Sequence, residues 1–299
     1  MSDITARPQD FALAETAPAK SRGYLATVLR RLRYDYVTLF FLALIILIVL
    51  SAVFAPLLAP YSPIKQNYAA AVQPPSRAHL LGTDKFGRDQ LSRVLYGTRI
   101  DLTVGIICTL LPLLIGVAVG AISGYYGGMI DAVFMRVIDI QVAFPFYVLL
   151  IAIVAILGPG LINMYYALIL VGWVAFARLI RGDVLVAKRL EYALAARAIG
   201  CDDLRVIARH LLPNVVGPAV VFAMSAVVLN ILAGASLSFL GLGVQPPTPE
   251  WGAMIAESRE YVLTAWWLPT FPGLAITVVG IAFSLIGDGL SGFLRRRNP

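Results

Sequence analysis

Apolar positions in this chain run unbroken for long stretches instead of recurring on one helical face. Uncharged blocks cover Val37–Leu58, Leu102–Tyr126, Ile140–Arg178, Asn214–Gln245 and Leu263–Ile286. A bilayer core about 30 Å thick is crossed by ~20 helical residues, so each block predicts a crossing. The third block has twice the needed length and is interrupted by Gly158, Pro159 and Gly160. A helix stops at such a cluster, because proline lacks the N–H and glycine gives up the most backbone freedom. That block therefore predicts a hairpin of two spans. The expected fold class is an all-α membrane protein with six transmembrane helices.

Composition sharpens the class. Of 299 residues, 59% are hydrophobic and 14% charged, with mean hydropathy +0.82, whereas soluble domains hold ~45–50% apolar residues. Counting Lys and Arg between the blocks sets the orientation, since cytoplasmic loops carry the excess. With both termini inside, cytoplasmic segments hold 17 and outer segments 7. The outer stretch before the second block is the exception, although Asp84, Asp89 and Asp101 offset part of its charge. The net charge of +7 is thus mostly a topology signal, and no nucleic-acid partner is expected. The chain divides into a cytoplasmic segment 1–36, a first span 37–60, an external segment 61–98, a transmembrane domain 99–290 and a basic cytoplasmic tail 291–299. The first apolar run is longer than the ~7–15 residues of a signal peptide, so it reads as a retained helix. Tyr24–Tyr34, mixing Arg30, Arg31 and Arg33 with leucines, reads as an amphipathic helix on the inner leaflet, and residues 1–20 as disordered.

Chemistry is sparse. The middles of the spans hold no Asp, Glu, Lys, Arg or His, which disfavours proton coupling through side chains. His79 and His210 fall on opposite sides of the membrane, no HExxH motif occurs, and Cys108 and Cys201 are too separated to pair. There is no GxxxxGK[ST] phosphate loop, so active transport would draw its energy from a partner. No catalytic residue, metal or cofactor is expected in the chain itself. Small residues four apart (Gly116 and Gly120, Gly234 and Ser238) predict close helix packing. Ser225 and Asn230 are the polar exceptions in the fifth span. Asn230 faces either another helix or a translocation path.

The segment Arg178–Pro213 exceeds the ~2–8 residues a helix connection needs. Good helix formers run from Glu191 to Ile199, Gly200 breaks them, and Asp202 can cap a second short helix, Asp203–Leu211, that Pro213 ends. Two short helices bent at a glycine suit insertion into a groove of another protein, or an amphipathic helix lying on the membrane surface.

The spacing AA-x3-G-x9-H-x-LPN, formed by Ala195, Ala196, Gly200, His210, Leu212, Pro213 and Asn214, resembles the EAA loop of ABC importer permeases. Leu80–Arg99, Gly124–Pro145, Leu237–Ile255 and Phe271–Leu290 are similar to the C-type permeases of the dipeptide/oligopeptide/nickel group. The resemblance covers residues ~30–290. It implies a type I ABC permease, placed in the bacterial inner membrane. Its implied partners are a homologous second permease, two ATP-binding subunits carrying ATP and Mg, and an external substrate-binding protein. It also implies a coupling helix entering the ATPase subunit. Leu194 stands where the family has a glutamate, so that carboxylate contact is not expected here.

Two outer features complete the reading. Pro246, Pro247, Glu250 and Trp251 form a proline-stiffened aromatic segment, expected as an external gate, a binding-protein contact, or simply a rigid loop. The uncharged spans suggest a path that does not grip cargo by charge, which fits peptides, with glutathione and nickel complexes as related cargo. An ion-coupled secondary transporter and a non-transporting scaffold are the rival readings. Neither accounts for the loop.

Overall fold

The computed structural model describes residues 35–295. The expected amphipathic helix at Tyr24–Tyr34, residues 1–20 and the end of the basic tail lie outside them. The chain forms helices α1 (Tyr36–Val53), α2 (Gln90–Tyr126), α3 (Gly128–Val142), α4 (Phe146–Leu157), α5 (Leu161–Ala187) and α6 (Glu191–Ala198). They are followed by α7 (Asp203–Phe239), α8 (Trp251–Glu257) and α9 (Trp267–Arg295). Among the described residues, α1, α2, α7 and α9 are each long and apolar enough to cross a membrane. The pair α3 and α4 adds a fifth crossing if it is one bent span. Against the six expected spans, the described residues therefore give four or five candidates, and the 27-residue α5 is not among them.

Three expected boundaries are corrected. The helix that carries the second span starts at Gln90, ahead of Leu102, because Asp89 caps it and accepts from the Ser92 N–H at 2.8 Å. Its charged residues Arg93 and Asp101 are buried against partners from other segments, so charge there does not mark a loop. The third span does not begin as a straight helix at Ile140. Most of the expected connecting segment is helix α3, which meets α4 at 89°. Pro145 sits at that corner with extended ψ, as a residue without an N–H and with a clashing ring favours. Finally, Pro213 does not end a short helix. The backbone runs on through a π-helical stretch, Val206–Leu211, where the Leu212 N–H donates to Ile207 O. Wider hydrogen-bond spacing lets the helix absorb a proline that cannot donate.

The most extensive helix pair is α2 with α5, and glycines explain it. A Cβ on Gly116 would lie 2.5 Å from Phe176 Cβ, one on Gly120 2.5 Å from Ala177 O, and one on Gly124 2.9 Å from Arg181 O. Every fourth residue of α2 is therefore bare where α5 crosses it, the close approach that small-residue stripes allow where no water drives association. Helix α7 packs on α2 and α9, and α9 covers α1.

At the Gln90 end of α2, an ion cluster ties the 61–89 segment to α8. Arg88 and Arg93 both donate to Glu257 Oε2, at 2.6 and 2.9 Å, and Arg88 Nε reaches Asp84 Oδ2 at 2.6 Å. Both arginines are buried, which is tolerable only because carboxylates meet them.

Candidate functional site

At the opposite end of α2, the segment after α5 folds as a compact hinge. Helix α6 stops at Gly200, whose φ is +83°. The Gly200 N–H donates to Arg197 O at 2.9 Å and the Cys201 N–H to Ala196 O at 3.1 Å, the paired bonds of a Schellman cap. Asp202 occupies the N-cap position of α7, but its side chain accepts no capping bond. It lies 3.6 Å from Arg205 on the exposed surface, which corrects its expected capping role.

The hinge has an inner and an outer face. Ala193 and Ala196 are buried against Val206, Ile207 and Leu211, so small side chains let α6 lie close on the π-helical turn. Leu194 is 50% exposed, Ile199 80% and Leu204 71%, and Ala195 is exposed beside them. Together they form an exposed apolar ridge on the outside of the bent helix pair, a surface of the kind that meets another protein or a membrane. Leu194, at the glutamate position, belongs to that ridge. His210 is half-buried, and its carbonyl accepts from Asn214 Nδ2 at 2.7 Å. Leu212 is half-buried and Pro213 exposed.

The hinge is tethered to the helix bundle by residues that the sequence reading missed. The Tyr125 hydroxyl donates to Asp203, and Arg197 stands 4.7 Å over the Tyr125 ring. One buried tyrosine thus holds both limbs, one on each side of Gly200. Lys188 Nζ donates to the Gly124 and Tyr125 carbonyls at 2.7 and 3.0 Å, satisfying the open end of α2. Burial, with Arg189 and Arg197 nearby, pulls the Lys188 ammonium below its ordinary pKa. Arg181 grips Asp131 with two bonds, at 2.5 and 2.7 Å, joining α5 to α3. The available signal was the tyrosine pair Tyr125–Tyr126 ahead of two glycines, read only as part of a family motif.

The other expected residues sit apart from the hinge. Asn230 is buried, and its Nδ2 donates to Cys108 O at 2.7 Å and to Thr109 Oγ1 at 2.9 Å. It therefore staples α7 to α2 while its residue also borders a cavity. Ser225 is exposed. Glu250 and Trp251 are enclosed, each 1% exposed, which leaves Pro246 and Pro247 as the exposed part of that group. Glu250 accepts from the Gly252 and Ala253 N–H groups at 2.8 and 2.7 Å and caps α8. Burial pushes its carboxyl up from the usual range against those bonds. The Trp251 N–H donates to Asp101 Oδ2 at 3.1 Å and its ring Nε1 to Val94 O at 3.2 Å. Trp251 thereby locks α8 onto α2.

Comparison with known proteins identifies the family of the chain. The family model for "Binding-protein-dependent transport system inner membrane component" matches residues 116–298. That for the "N-terminal TM domain of oligopeptide transport permease C" matches residues 23–75. The glutathione transport system permease protein GsiD of Pectobacterium atrosepticum is 44% identical over 247 residues, 82% of each chain. The dipeptide transport system permease protein DppC of Bacillus subtilis is 38% identical, covering 94% of this chain and 88% of its own. A solved inward-facing MetNI methionine ABC transporter chain superposes with TM-score 0.53 at 18% identity, covering 70% of this chain and 98% of that one. That likeness carries the fold alone.

Proposed function

The chain belongs to the binding-protein-dependent transport inner membrane components and is a permease subunit of an ATP-driven importer; we propose that its cargo is a short peptide and that α6 is its coupling helix. The family role is transport and not catalysis. Membership implies ATPase and binding-protein partners. The finer assembly we infer is one copy of this chain, one homologous permease, two ATPase subunits and one external binding protein.

The observation that carries the coupling role is the apolar ridge of Leu194, Ile199 and Leu204 around a left-handed glycine. Among the described residues nothing lies within 4 Å of where a Gly200 Cβ would be, so the tip of the hinge is free to enter a groove. Rigid-body motion of an ATPase subunit would reach α2 through Tyr125 and through the Lys188 bonds to its last turn. The mechanism is mechanical, with the permease contributing shape and stiffness.

We take α1, α2, the bent α3–α4 pair, α5, α7 and α9 as six crossings, both termini cytoplasmic, with 99–290 as the transport domain. The basic-residue asymmetry and the apolar length of α5 support this arrangement. The segment around Pro246 and Pro247 then lies at the outer mouth as a gate element. Relatives named for dipeptides and glutathione support a peptide cargo. The test is uptake by proteoliposomes containing both permeases, the ATPase subunits and the binding protein. ATP-dependent accumulation of a dipeptide is expected, and accumulation driven by an ion gradient without ATP would contradict the proposal.

A further inference from the structure

A cavity of about 480 Å³ opens between the α3–α4 corner, α5 and α7, within the ~300–1,000 Å³ of small-molecule sites. Its walls include the aromatic side chains of Phe144, Phe146 and Phe222. Against this apolar background, among the described residues, stands one charged side chain, Arg178. It makes no ion pair or side-chain hydrogen bond among the described residues, whereas Arg181, one turn on, is fully engaged by Asp131. Arg178 lies about 25 Å along α5 from Leu161 at 1.5 Å per residue, short of the helix end. Arg178 is an exposed residue on the cavity wall, so its guanidinium is open to an anion that enters there, and an ionisable residue lining a cavity among spans marks a cargo or ion path.

Two amides complete the polar set. Gln141 Nε2 donates to Val171 O at 2.8 Å, and Asn230 Nδ2 is committed to α2. With their donors turned into the helices, the amide oxygens of both residues are left as acceptors, and neither receives a bond from the described residues. Among the described residues the lining therefore offers one cation and two neutral acceptors, the complement of a zwitterion with a carboxylate and an ammonium group.

We propose that this cavity is a resting site for cargo in transit, in which Arg178 binds the C-terminal carboxylate of a peptide and the amide oxygens of Gln141 and Asn230 face its N-terminal ammonium. This rests on the peptide-importer reading and adds where, and by which groups, the cargo is held. It also revises the expectation of a path without charge, since Arg178 closes an uncharged block yet lines the cavity.

The test compares Ala-Phe with its C-terminal amide, each saturating the binding protein, in proteoliposomes holding the complete importer. Replacing Arg178→Gln should slow uptake of the free acid about tenfold or more, as loss of a charge-assisted bond does. Uptake of the amide and ATP hydrolysis stimulated by the loaded binding protein should stay within about twofold of wild type. Arg178→Lys should recover much of the acid uptake. Unchanged acid uptake in Arg178→Gln would overturn the site. So would an equal fall in acid uptake, amide uptake and ATP hydrolysis, which would assign Arg178 to a lipid headgroup or a partner helix. If the binding protein does not retain the amide, acid uptake lost with ATP hydrolysis kept still supports the site, and both lost together overturns it. Wild-type importer that carries neither peptide but carries another ligand of its binding protein would overturn the peptide reading itself.

Discussion

The Tyr125 hydroxyl donates to Asp203 while the Tyr125 ring packs under the Arg197 guanidinium. Tyr125 closes α2, Arg197 belongs to α6 and Asp203 opens α7. A single side chain therefore bridges the long helix and both limbs of the hinge. Tyr125→Phe keeps the ring and loses the hydroxyl bond. Tyr125→Ala loses both. Peptide moved per ATP hydrolysed should fall about fivefold in Tyr125→Phe and further in Tyr125→Ala, in line with coupling energies of ~1–3 kcal/mol. An unchanged ratio in Tyr125→Ala would remove Tyr125 from the transmission route.

Gly200 separates shape from bulk. Its left-handed φ costs a branched residue about 1–2 kcal/mol, whereas asparagine visits that region readily. Gly200→Asn should retain most uptake and Gly200→Val should abolish it, with both proteins present in the membrane fraction at wild-type amounts. Equal uptake by the two variants would show that the bend is dispensable.

Packing of α2 on α5 predicts a steep size limit at Gly120. A leucine there collides with the Ala177 carbonyl, which is backbone and cannot turn aside. Overpacking of this kind costs about 1–3 kcal/mol, so Gly120→Leu should lower the amount of membrane-inserted complex in immunoblots. Gly182→Ala, where a Cβ meets open space, should not.

Glu257 serves two buried arginines at once. Replacing Glu257→Gln leaves both guanidinium groups short of a counter-charge, and breaking a buried pair costs about 3–5 kcal/mol. Thermal melting of the detergent-solubilised complex should fall by several degrees. Glu260→Gln, an exposed carboxylate with no ion pair among the described residues, is the control expected to leave it unchanged.

The sequence made much of this legible because a bilayer imposes one simple demand on helix length and polarity. The long uncharged runs became helices for that reason, and Gly200 stood out because few residues other than glycine take its backbone conformation. Charge was a poorer guide to helix ends. Arg93 finds Glu257 and Asp101 finds the Trp251 N–H through the folded structure, and no local pattern announces partners so distant in sequence. Pro213 misled for a different reason, since a π-helical turn upstream absorbs what an α-helix would not. The tether through Tyr125 was invisible because a tyrosine at a helix end has many uses, and only the fold brings Arg197 and Asp203 to it.

The central claim is that the α6 hinge docks onto an ATPase subunit, and site-specific photo-crosslinking tests it most directly. Benzoylphenylalanine placed at Ile199, the most exposed apolar side chain of the ridge, should link this chain to the ATPase subunit in the assembled importer. The same group at Ile156, exposed at the far end of α4, should not. Crosslinks from position 199 to lipid or to the second permease alone, in a complex that still hydrolyses ATP on demand, would contradict the account.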